Sequence, residues 1–103
     1  MMASNRSEGA GNGRFPSAQT LRIVQAALVR YLAGETAEDK VCDALGMLAR
    51  EAQDGHLRAE DMLVAFKNLW NDTPEVRAIR NPEERRRLLA RIVELCIDAY
   101  YQG

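Results

Sequence analysis

The side chains in this chain with the chemistry for catalysis or metal binding are few. They are one histidine, His56, two cysteines, Cys42 and Cys96, and the adjacent carboxylates Glu60-Asp61 and Glu83-Glu84. A histidine that carries phosphate in a phosphotransfer domain stands exposed in the middle of a bundle helix. His56 instead follows Gly55, at the end of a helical pattern, so a turn position is expected and phosphotransfer ranks last among the functional readings. A histidine with no cluster of Cys or carboxylate partners also makes a poor transition-metal site. A general acid–base pair needs two carboxyls facing each other across a sheltered cleft. Neighbours on a helix point about 100° apart, and acidic pairs in a first turn serve the helix dipole. Neither cysteine has a set of Lys, Arg or His beside it that would hold a thiolate, Lys40 being two residues from Cys42 and pointing elsewhere. Both read as buried free thiols in a reducing cytoplasm. The expectation is therefore no enzyme, no cofactor, no metal and no small-molecule substrate.

Asp54-Gly55-His56-Leu57 resembles the middle of a calcium-binding helix–loop–helix segment. Counting Gly55 as the sixth loop position puts Arg50 first and Ala52 third, where a hard cation needs oxygen ligands. Calcium binding is rejected on those ligands. What is retained is a Gly turn followed by an inward apolar residue. No strand precedes a Gly-rich segment, so there is no phosphate loop.

Charge is nearly balanced overall, at −1, but unevenly placed. From Glu35 to Asp61 eight acidic residues face Lys40, Arg50 and Arg58. Further on, Arg77, Arg80, Arg85, Arg86, Arg87 and Arg91 crowd together, interleaved with Glu83 and Glu84. A basic patch of this kind can bind nucleic acid phosphates, which makes nucleic-acid binding the alternative function. No amide-bearing recognition helix accompanies it to read base edges. Pairing with the acidic stretch, within one chain or between two, is the simpler use of these arginines.

The elements that position these groups all read as helices. Met1 to Arg14 is polar and Gly-rich and is expected to be a disordered tail, leaving 15–103 as one helical domain. At 47% hydrophobic and 28% charged, the chain as a whole is too apolar for global disorder. No apolar run is long enough to cross a bilayer, and a cytoplasmic location is expected. Helix one is expected over Ser17–Leu32, stopped by Gly34. Helix two is capped by Thr36 and stopped by Asp54-Gly55, and helix three runs over Ala59–Asn71. Thr73 caps a short turn, Pro74–Ile79. There is no period-two alternation. The fold class is all-α, a compact four-helix bundle or orthogonal array with a short extra helical turn before the last helix.

That last helix opens with Asn81 as cap and Pro82 at the first position. Leu88, Ile92, Leu95, Cys96 and Ala99 mark one side, and Leu89, Val93, Ile97 and Tyr100 mark another. Only Arg87, Arg91, Glu94 and Asp98 make a continuous polar strip. A helix apolar over so much of its girth needs cover on nearly every side, inside the domain or across an oligomer contact. Aromatic surface rimmed by arginine is the composition of an interface hot spot. The functional expectation is a small regulatory or adaptor module that binds protein. A homodimer is expected, using Leu89, Val93, Ile97, Tyr100, Tyr101 and Trp70.

Overall fold

The second helix, not the last, sits at the centre of the molecule. The computed structural model describes residues 15–102, so the expected tail at 1–14 lies outside the described residues. It contains α1 (Ala18–Leu32), α2 (Glu38–Asp54), α3 (Ala59–Asp72), the single turn α4 (Pro74–Arg77) and α5 (Pro82–Gln102). The all-α expectation holds, as do the four main helices and the extra turn before the last.

Helix α2 takes the centre because its inward residues alternate large and small. Val41, Leu45 and Leu48 fill volume, while Ala44, Ala49 and Ala52 let neighbouring helices approach, and all six are buried. Helices α1 and α5 both pack along α2 and barely touch one another. Val24 and Leu28 come in from α1, Met62, Phe66 and Trp70 from α3, Val76 from α4, and Ile92 and Cys96 from α5.

Side-chain ties fix the helix directions. The start of α1 meets the end of α2, where Ser17 and Thr20 bond Glu51, so these two run antiparallel. Arg91 of α5 reaches Glu38 at the start of α2, and Tyr100 near the end of α5 meets Gln53 near the end of α2. Helices α2 and α5 therefore run in the same general direction.

The expected cap at Asn81 is present, and so is one at Ser17, which was expected inside the helix. The Ser17 hydroxyl accepts from the Thr20 amide at 3.2 Å, and Asn81 Oδ1 accepts from Glu83 N at 2.9 Å and Glu84 N at 3.3 Å. Two expected caps are not. Helix α2 starts from Ala37 with no side-chain cap, and the Thr36 hydroxyl is buried without a partner among the described residues. Thr73 is wholly buried and turns its hydroxyl back to the Leu69 carbonyl at 2.7 Å instead of capping α4. A threonine can bond its own preceding turn, and in a buried corner that local acceptor wins.

Both interhelical turns after α1 and α2 close by the same device. After α1, Glu35 N bonds Arg30 O and Gly34 N bonds Tyr31 O. After α2, Leu57 N bonds Ala52 O and His56 N bonds Gln53 O. These are Schellman closures, each with one residue in the left-handed region. In the first it is Gly34, at φ +77°. In the second it is His56 at φ +59°, while Gly55 has an ordinary φ of −88°. The glycine expected to make this turn is one position too early.

Candidate functional site

Helix α5 presents three different sides, and they follow from its sequence at about 100° per residue. Ile92, Leu95 and Cys96 are buried, with Leu88, Leu89, Ala99 and Tyr100 packed at the margins of the core. Arg87, Arg91, Glu94 and Asp98 are exposed along one flank. On the opposite flank and the back, Val93, Ile97, Ala90 and Tyr101 lie about 100° to 180° round from Ile92. Val93 and Ile97 are half-buried and stand outside the core cluster. Ala90 is exposed, and Tyr101 is 73% exposed. The result is an outward apolar stripe on a helix whose inner side is already satisfied.

The residues expected to meet a partner are thus divided. Val93, Ile97 and Tyr101 share the outer stripe, the first two half-buried and the third exposed. Leu89 leans on the core edge. Tyr100 is half-buried and held by its own chain: its hydroxyl donates to the Leu57 carbonyl at 2.7 Å, and its carbonyl accepts from the Gln53 amide. Its ring meets that of Tyr101 edge-on, with centroids 5.1 Å apart. Trp70 does not belong to the set. It is 2% exposed, tilted against Phe66 with centroids 6.2 Å apart, and presents nothing to a partner. An amphipathic period cannot distinguish a tryptophan that fills a core from one that anchors a contact.

The arginine set also comes apart. Arg91 is bound by Glu38, with Nη2–Oε1 at 2.8 Å and Nε–Oε2 at 3.0 Å, and by Glu94 at 3.0 Å. The Arg91 hydrogen bonds hold the Glu38 carboxyl below its usual range, and Glu38 and Glu94 raise Arg91 in turn. Arg85 leans on the Ile79 carbonyl at 3.4 Å. Arg77, Arg80, Arg86 and Arg87 are exposed, with no carboxylate within 4.0 Å among the described residues.

The remaining reactive groups do not converge. Among the described residues no three His, Cys, Asp or Glu side chains come together as a metal site would require. His56 is exposed in its turn, away from both cysteines along the chain. Cys96 is wholly buried, which pushes its thiol up to about 12, and burial also raises Cys42. Neither thiol is available as a thiolate near neutral pH.

One polar cluster was not legible beforehand. Glu51 accepts from Ser17 N at 2.7 Å, Ser17 Oγ at 3.0 Å and Thr20 Oγ1 at 2.5 Å. Burial alone would raise this carboxyl, but the Thr20 and Ser17 hydrogen bonds outweigh it and leave Glu51 below its usual range. It is a carboxylate from α2 completing the amino end of α1. The partners are 31 to 34 residues apart, so no local spacing announces them.

No described helix is long and apolar enough to cross a membrane. No family model, curated protein or solved structure matches this chain.

Proposed function

We propose that the protein is a small helical interaction module that associates with a second copy of itself through the outer face of α5. The observation that carries this is the stripe of Val93, Ile97 and Tyr101. Two β-branched aliphatics and an aromatic share one side of a helix that is already packed on the other. Scattered exposed apolar residues need no explanation, but an aligned row over about two turns, next to arginines, has the make-up of a contact surface.

A nucleic-acid role for the arginines has less support. Arg91 is neutralised by two carboxylates, and Glu83 and Glu84 stand exposed among the others. Like-signed density along a phosphate backbone is what such a role requires.

Ile97→Asp places a charge in the stripe without touching the core cluster. Sedimentation equilibrium at high micromolar concentration is expected to show a dimer for the wild type. The variant should be a folded monomer, its dissociation constant raised roughly 100-fold or more by one desolvated charge per protomer. A monomeric wild type under those conditions rules the reading out.

A further inference from the structure

The order of residues along the α5 stripe carries information beyond its apolarity. From the amino end it reads Arg86, Ala90, Val93, Ile97, Tyr101, a span of about 22 Å at 1.5 Å per residue. A cation stands at one end and an aromatic ring at the other, with a small residue near the first and a branched one near the second. Such a stripe matches itself when turned end for end, and mismatches itself when laid side by side.

Resting on the self-association reading above, we infer that two copies pair through α5 in antiparallel register, with the two-fold axis between Val93 and Glu94. Arg86 of each copy then covers the partner's Tyr101 ring, and Ala90 of each receives the partner's Ile97. Three observations support this direction. Arg86 is exposed with no carboxylate within 4.0 Å among the described residues, while Tyr101 is the most exposed large hydrophobic residue. A guanidinium over such a ring is a favourable contact. The ring is held outward in advance, because Tyr101 rests edge-on against Tyr100 and Tyr100 is bonded to Leu57. This lowers the ordering cost of binding.

The charges beside the stripe agree. The first half of α5 carries Arg85, Arg86, Arg87 and Arg91 against Glu83 and Glu84, and the second half only Glu94 and Asp98. Antiparallel pairing sets the Arg86–Arg87 end of each helix against the Asp98 end of the other and opposes the two helix dipoles, with the two Glu94 carboxylates flanking the axis. Parallel pairing would set Arg86 on Arg86, Tyr101 on Tyr101 and Asp98 on Asp98. It would also leave Ala90 against Ala90 as a gap beside two crowded Ile97 side chains.

Single cysteines test the register. On a Cys42→Ser background, Glu94→Cys and Ala90→Cys are oxidised with diamide and compared with Arg22→Cys, an exposed position on α1. In the proposed pairing Glu94 lies beside its own counterpart, whereas the two Ala90 positions are displaced about 10 Å along the axis, beyond the reach of a disulfide. The expected result is covalent dimer from Glu94→Cys well ahead of both others. If Ala90→Cys matches Glu94→Cys, the pairing is parallel: the register is overturned and self-association stands. If a dimer sediments but neither exceeds Arg22→Cys, pairing through α5 is overturned. A wild type that sediments as a monomer overturns the functional reading itself.

The Arg–Tyr contact has its own test in Arg86→Ala, Tyr101→Ala and the double variant. Each single change is expected to raise the dimer dissociation constant about 10-fold, with little added by the second. Full multiplication of the two effects overturns the contact.

Discussion

At the scale of single residues, the turn after α2 shows how close a correct reading can come and still misplace the strain. Asp54-Gly55 was expected to stop the helix through its glycine, and the helix does stop there. But the left-handed residue is His56, which has a Cβ, and Gly55 adopts an ordinary conformation in which an added Cβ would find only ordinary contacts, 3.5 Å from the nearest atom. His56→Gly is therefore expected to stabilise the fold by about 0.5–1 kcal/mol, the left-handed penalty less the entropy a glycine adds to the unfolded chain. Gly55→Ala should be neutral or mildly stabilising. Urea midpoints measure both, and a destabilised His56→Gly would show that the imidazole makes a contact outweighing its backbone. Sequence placed the turn to within one residue because two positions can each close a Schellman motif, and only the long-range seat of Leu57 chooses between them. Thr36 and Thr73 misled for a similar reason. A threonine before a helix has an acceptor oxygen and the right spacing, but burial decides what that oxygen meets.

At the scale of elements, helix bounds were readable almost to the residue, because the cap Asn81 and the breakers Gly34 and Pro74 act locally. The rank of the helices was not. The last helix has the longest apolar sequence and was expected to need the most cover, yet α2, with its alanines, is the one enclosed. Small residues raise little hydrophobic signal and permit the closest packing, so periodicity undervalues the helix that matters most. The outer side of α5 was legible as surplus apolar surface, and its arrangement only became so once α2 and α3 had claimed the inner side. The end of α5 is held by Tyr100, whose hydroxyl bonds the Leu57 carbonyl. Tyr100→Phe keeps the ring and removes that bond. It should cost about 1 kcal/mol in denaturant titrations and leave the helix content unchanged by circular dichroism. No loss would mean that water replaces the hydroxyl without penalty.

At the scale of the whole molecule, stability should respond to acid chiefly through the carboxylates that join helices. Glu51 and Glu38 both have folded-state values held below the ordinary range. A depressed carboxyl contributes stability that is fully present above its unfolded value, near 4.5, and is lost as pH falls through the lower folded value. The protein is expected to hold its stability from neutral pH down to that region and to weaken below it. Glu51→Gln should cost about 1–2 kcal/mol at pH 7, because an amide offers one acceptor oxygen to three donors. It should also flatten the acid limb, so that wild type and variant converge as pH falls. Parallel curves, measured by thermal melting across pH, would remove Glu51 as the source. None of this could be read from the chain, since a glutamate in α2 carries no mark of the serine and threonine it will meet in α1.

The last turns of α2 hold more than their own backbone. Glu51 ties down the start of the first helix, and Gln53, two residues on, ties down the end of the last. Fraying at either outer helix therefore disturbs a mooring on the innermost one, which raises the cost of opening those peripheral segments first. Amide protons in the first bonded turn of α1 and the last turns of α5 should exchange more slowly than those of unmoored helix ends, and lose that protection in Glu51→Gln and Gln53→Ala.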